Sequence, residues 1–169
     1  MDGFAEAKKA HEKWGDGAIN GCANVTDEIG VEIESDDVRS YFSSALPRES
    51  YFTGAVSVHD LEQIKAEIGT GAWPGEILAR FGLVPIGGTI GGGQVCVSGK
   101  DGKVRFADSS YISDRWVMAP DESGKLATKE LTEENLLSAL PLVSEDLVAF
   151  FSDLVEGEMN AKLDKLDEG

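Results

Sequence analysis

Between residues 83 and 107 the chain sets three short runs of apolar, β-branched and aromatic residues, LVPI, QVCVS and KVRFA, between the glycine-rich breaks GGTIGGG and GKDG. Runs of four or five residues bounded by turn chemistry are too short for helices and read as buried strands. The Asp-Gly of residues 99–102 supplies the positive φ that a tight hairpin requires, so the last two runs must pair antiparallel. A chain with this segment at its centre needs other elements to cover a small antiparallel sheet.

The flanks supply them with helical periodicity. Residues 5–14 predict a short helix. Ser35 is placed to cap a helix over 36–46, with Val38, Tyr41, Phe42 and Ala45 on one face. YFTGAVSV (51–58) is partly strand-like, and Ser57 is placed to cap a helix whose Leu61, Ile64 and Ile68 face inward. GEILARFG reads as a short helix closed by Gly82. RWVMA (115–119) reads as a fourth, edge-like strand ended by Pro120, and DESGKLATKE (121–130) as a loop. Thr132 is placed to cap EENLLSAL, and Ser144 to cap one helix over 145–163. The expectation is one α+β domain over residues 1–169, a small, mainly antiparallel central sheet flanked by helices. Residues 1–30 are only loosely assigned, and 160–169 form a frayed acidic tail.

Charge narrows the class of partner. The 31 acidic residues against 15 Lys and Arg give a formal charge of −16. A sequence-independent grip on phosphate needs clustered Lys and Arg, so nucleic acid and anionic membranes are disfavoured partners. A basic protein is the partner that such a field favours, although the same acids also keep a protein soluble. Cys22 and Cys96 form no C-x-x-C, the first residues lack the apolar core of a signal peptide, and no run approaches the length of a membrane span, so a reduced, cytoplasmic setting is expected.

The chemical constellations point away from catalysis. The glycines of residues 87–93 lack the Lys-Ser/Thr and the following helix of a phosphate loop, and read as structural, serving a bulge and close backbone approach. His11 and His59 have no metal-spaced partners; His59-Asp60 is a conceivable acid–base pair, but a partly exposed residue at a helix start is the simpler reading. Cys96 lies between Val95 and Val97, so one register buries the thiol and the other both valines; no neighbouring base is evident to activate it. Neither cofactor nor metal is expected. Aromatic and Arg residues anchor interfaces disproportionately, which makes Tyr111, Arg115 and Trp116, with Asp108 and the Asp121-Glu122 pair, the candidate partner-contact region.

The segment FGLVPIGGTIGGGQVCVSGKDGKVRFAD (81–108) also resembles the SUKH superfamily, named for fungal regulators of cell-wall synthesis and bacterial immunity proteins. Pro85, Ile86, Gly92, Gly93, Val95, Val97, Gly102, Val104, Phe106 and Asp108 carry the likeness, and Pro85, Gly92, Gly93 and Gly102 have structural roles in it. The resemblance implies helices around a small sheet and a non-catalytic role: an intracellular antidote that binds and neutralises a cognate protein toxin, a basic nuclease being one such class. The alternatives are a regulatory or scaffold interaction domain with a non-toxin partner and, less favoured, a small hydrolase.

Overall fold

Helix starts are fixed by short polar side chains that answer the unpaired N–H groups of the first turn. The computed structural model describes residues 4–19, 21, 24–69 and 71–167, and in it Asn24, Ser35, Asp60, Thr132 and Asp146 each accept from the backbone N–H three residues on. The elements run α1 (Ala5–Trp14), β1 (Ala18–Ile19), α2 (Val25–Ile29), α3 (Asp36–Ser44), β2 (Leu46–Pro47), β3 (Tyr51–Phe52), β4 (Val56–Val58), α4 (Leu61–Ile68), α5 (Gly75–Arg80), β5 (Leu83–Thr89), β6 (Gln94–Ser98) and β7 (Val104–Ala107). A 3₁₀ turn (Ser109–Tyr111) follows, then β8 (Trp116–Pro120), β9 (Leu126–Glu130), α6 (Glu133–Ala139), β10 (Leu142–Ser144), α7 (Leu147–Glu156) and α8 (Glu158–Asp167).

Four expectations are corrected at these boundaries. Ser57 pairs with Phe52 inside the sheet, and Asp60 caps α4 in its place. Ser144 ends β10, and Asp146 caps α7. The single C-terminal helix is two, because Gly157 takes φ 88° and turns the chain; α8 then continues through Asp167 with Met159 and Leu163 buried, where a frayed tail was expected. Asn20 and Cys22 lie outside the described residues. Among the described residues, no helix is long and apolar enough to cross a membrane.

The fold is α+β. Its main sheet has six strands in the order β10-β7-β6-β5-β4-β3, every neighbouring pair antiparallel. Pleat alternation divides the central strands between two apolar layers. Val84, Ile86, Val95, Val97, Val104 and Phe106 point toward Tyr41, Phe42, Phe150 and Phe151 of α3 and α7. Leu83, Cys96 and Ala107 point the other way, toward Ile77, Leu78, Val117 and Leu136. Cys96 and both neighbouring valines are therefore all buried: the sheet is covered on both faces, and the choice between registers that an exposed face would impose does not arise. β5 carries a bulge, but its extra residue is not one of the glycines: Pro85 pairs with Cys96 and Gly87 with Val95, leaving Ile86 unpaired just before them.

The glycine connection is shorter than the sequence suggests. β5 runs on through Gly87 and Gly88 to Thr89, and the reversal occupies only residues 90–93. Gly92 (φ 89°) and Gly102 (φ 77°) hold left-handed turn positions. Gly93 is needed for space: a Cβ there would stand 2.3 Å from Cζ of the Phe106 ring. Gly93→Ala forces that ring from its place and is expected to cost about 1–3 kcal/mol, read as a lowered thermal midpoint.

His11 is fully buried rather than part of a loose terminal helix. Its Nε2 lies 2.8 Å from the Ala45 carbonyl oxygen, which only accepts, so Nε2 carries the proton and Nδ1 accepts from the Tyr51 hydroxyl at 2.7 Å. One ring thus ties α1 to the end of α3 and to the edge strand β3, edge-on to Phe151. Burial pushes its pKa down to about 4, and the Ala45 contact only partly opposes this. The depressed value means that the unfolded chain takes up this proton first. The stabilisation is complete above pH 6.5 and is lost as pH falls from 6.5 toward 4, by about 3 kcal/mol. Urea midpoints measured across that range are expected to fall in the wild type, and His11→Gln to flatten the decline.

Candidate binding site

The region expected to contact a partner forms a hairpin that stands outside the main sheet. RWVMA does not become a fourth strand of that sheet: β8 pairs with β9, which the sequence suggested was loop, in a separate two-stranded sheet. The register places Trp116 opposite Glu130, Met118 opposite Thr128 and Pro120 opposite Leu126. Alternation puts these six on one face and Val117 and Ala119, both fully buried, on the other. Val117 packs with Leu136 of α6. The outer ones form a ladder in which Trp116 is 39% and Leu126 49% exposed, with the Thr128 hydroxyl 3.2 Å from the Met118 sulfur.

Pro120 and Leu126 also line an open groove of about 650 Å³. Distant segments complete it: Phe106 of β7, Asp108 and Tyr111 of the turn beyond, Ala139, Pro141 and Leu142 around the α6–β10 connection, and Lys162, Lys165 and Leu166 of α8. Leu142 is 43% exposed there. The Gly93–Phe106 contact holds one of the lining rings in place. The groove's own charge runs against that of the chain, with two lysines to one carboxylate. Lys162 is already engaged, donating to the Val143 carbonyl at 2.9 Å and lying 3.4 Å from Asp153.

The candidate residues separate in role. Asp108 and Tyr111 reach the groove, but Asp108 also holds its own turn, its Oδ1 accepting from the Ser110 N–H at 2.9 Å and hydroxyl at 2.6 Å. Asp121 does the same at the far end of the hairpin, accepting from Ser123 N–H and hydroxyl and from Lys125 N–H, and these bonds hold its carboxyl below the usual range. Both acids are turn-builders first. Ile112 bridges Val117, so the chain reverses between them and leaves Arg115 and Trp116 at one end of the hairpin, a full strand length from Asp121 and the exposed Glu122. The six are one continuous region, not one cluster.

The groups considered for catalysis are sequestered. Cys96 is fully buried with its thiol pushed up to about 12, far from a thiolate at neutral pH. His59 is buried, at 6% exposure, rather than partly exposed; burial lowers its pKa, with Glu67 and Asp60 pulling upward, and Asp60 is committed to capping α4. Neither His59 nor Cys96 lines the large groove. At the α7–α8 junction Asp153, Glu156 and Glu158 bring carboxylate oxygens within 4.8 Å of one another, and Lys162 answers that charge. No protein-family model matches the chain, and no curated protein or solved structure matches it.

Sequence reasoning missed β9, Leu142, Lys162 and Lys165. For β9 a signal existed: Gly124 at φ 85° closes a turn, and LATKE alternates after it. The others are joined to the hairpin only by the tertiary fold. The two faces of the hairpin are expected to respond oppositely to truncation: Trp116→Ala shifts stability by no more than about 0.5 kcal/mol, whereas Val117→Ala costs about 2 kcal/mol. Denaturant midpoints of the two variants check this.

Proposed function

We propose that this chain is a SUKH-type protein-binding domain that neutralises a cognate protein toxin by binding it directly, a basic nuclease being the class its charge favours. The observation that carries the reading is the apolar ladder from Trp116 to Leu126 running into an open groove, on a hairpin whose other face is anchored in the core. Exposed apolar surface with an aromatic anchor and a polar rim is the anatomy of an interface. Sequestration of Cys96 and His59 away from that surface supports binding over chemistry.

Charge has a separate part. A field of −16 accelerates encounter with a basic partner and repels acidic ones, while contact energy comes from the desolvated ladder. The two groove lysines place salt-dependent attraction outside the groove, on acids such as Glu122 and Glu130.

The test begins with recovery of the partner on this chain from its native host, followed by co-expression of the two. A toxic partner whose effect is suppressed by the wild-type chain is expected. Combined Trp116→Ala and Leu126→Ala should weaken the complex at least tenfold and abolish protection, and Glu122→Lys should slow association most at low salt. A partner that is harmless alone, or protection undiminished by the double substitution, would refute the reading.

A further inference from the structure

The hairpin presents its backbone as well as its side chains. Asp121 N–H donates to the Lys125 carbonyl and Leu131 N–H to the Arg115 carbonyl, both odd-numbered pairs flanking the ladder. Antiparallel strands alternate hydrogen-bonded and non-hydrogen-bonded pairs. The bonded pairs between them are therefore Val117–Lys129 and Ala119–Ala127. The N–H and C=O groups of Leu126 and Thr128 then point away from β8, and none of them has a hydrogen-bond partner among the described residues. Glu130 is the last of the outward set, its carbonyl taken by the Asn135 amide at 2.9 Å. An exposed strand edge of this kind is a template for another strand.

We infer that β9 takes up an extended, basic segment of the partner as a third strand of the β8–β9 sheet. This deepens the proposed binding role and rests on it. The charge around the edge selects the occupant. Glu130, Glu133 and Glu134 are exposed at one end, where Arg115 and Lys100, the latter 3.4 Å from Glu133, offset part of their charge; Glu122 and Asp121 lie at the other, and Lys125 and Lys129 are the lysines on β9 and its turn. Lys129 is drawn back onto the Pro120 carbonyl at 2.9 Å. A second copy of this chain, at −16, meets the same acids with acids. A segment alternating apolar and basic residues lays its apolar side chains on the Leu126–Glu130 side of the ladder and turns its basic ones to the opposite face, the side of α6, whose first turn carries Glu133 and Glu134.

Residue-resolved amide exchange on the intact chain tests this directly. In the free protein the Leu126 and Thr128 amides should exchange at least tenfold faster than those of Ala127 and Lys129. An end-capped seven-residue peptide alternating valine and lysine, at millimolar concentration, should slow Thr128 exchange at least tenfold; the valine–glutamate peptide should not. Slow exchange at Thr128 in the free protein, no slowing by the lysine peptide, or equal slowing by both peptides would overturn the inference. Thr128→Pro removes one outward N–H at a position where an edge tolerates proline, and should abolish peptide uptake while Thr128→Val keeps it. With the native partner, loss of binding in Thr128→Pro supports strand addition. Full binding by that variant, with loss in the Trp116→Ala, Leu126→Ala double variant, overturns strand addition and leaves the binding role standing; undiminished binding by both overturns the two together.

Discussion

Burying β6 on both faces takes its backbone out of water, so the polar groups of Gln94–Ser98 must be satisfied by the strands beside it. β5 and β7 supply those partners, and their own side chains then need cover above and below. Much of the remaining chain follows from that demand. α3 and α7 close one face with an aromatic cluster in which Tyr41 stacks on Phe151 at 5.4 Å. The other face is closed by α5, α6 and the inner side of the β8–β9 hairpin. The hairpin is thus recruited to the fold by Val117 and Ala119, and its outer ladder is the by-product left facing solvent.

The same demand links the glycine-rich turn to the groove. Gly93 lets the Phe106 ring lie against the β5–β6 reversal, and Phe106 belongs to the core on one side and lines the groove on another. Ser109, one step beyond Asp108, donates its hydroxyl to the Gly92 carbonyl at 3.3 Å and stitches the 3₁₀ turn to that reversal. Tyr111 takes its place along the groove from this attachment. Packing in the sheet therefore sets the groove wall formed by Phe106 and Tyr111.

Legibility in the sequence followed the range of the forces involved. Strands 83–107 were readable because turn chemistry and apolar runs are local, and so were the helices that Ser35 and Thr132 cap. The caps at Asp60 and Asp146 were misplaced to Ser57 and Ser144 because a serine and an aspartate two or three residues apart offer the backbone equivalent oxygens, and only the pairing of β4 and β10 decides which is free to cap. His11 looked idle because its partners, Ala45 and Tyr51, are 34 and 40 residues away. The α8 side of the groove was invisible for the same reason: only the tertiary fold brings α8 and the turn after β7 to one groove. Of the site itself, the aromatic ladder residue Trp116 was legible from residue type, whereas two of the three acids chosen with it, Asp108 and Asp121, prove to be occupied in turns.

The hairpin's two faces answer to different masters. Its inward residues are held by the core, while the ladder facing water contributes little to whether the chain folds. Sequence change on that outer surface is therefore cheap in stability, and the solvent-facing side chains are free to be exchanged while the architecture beneath them stays intact.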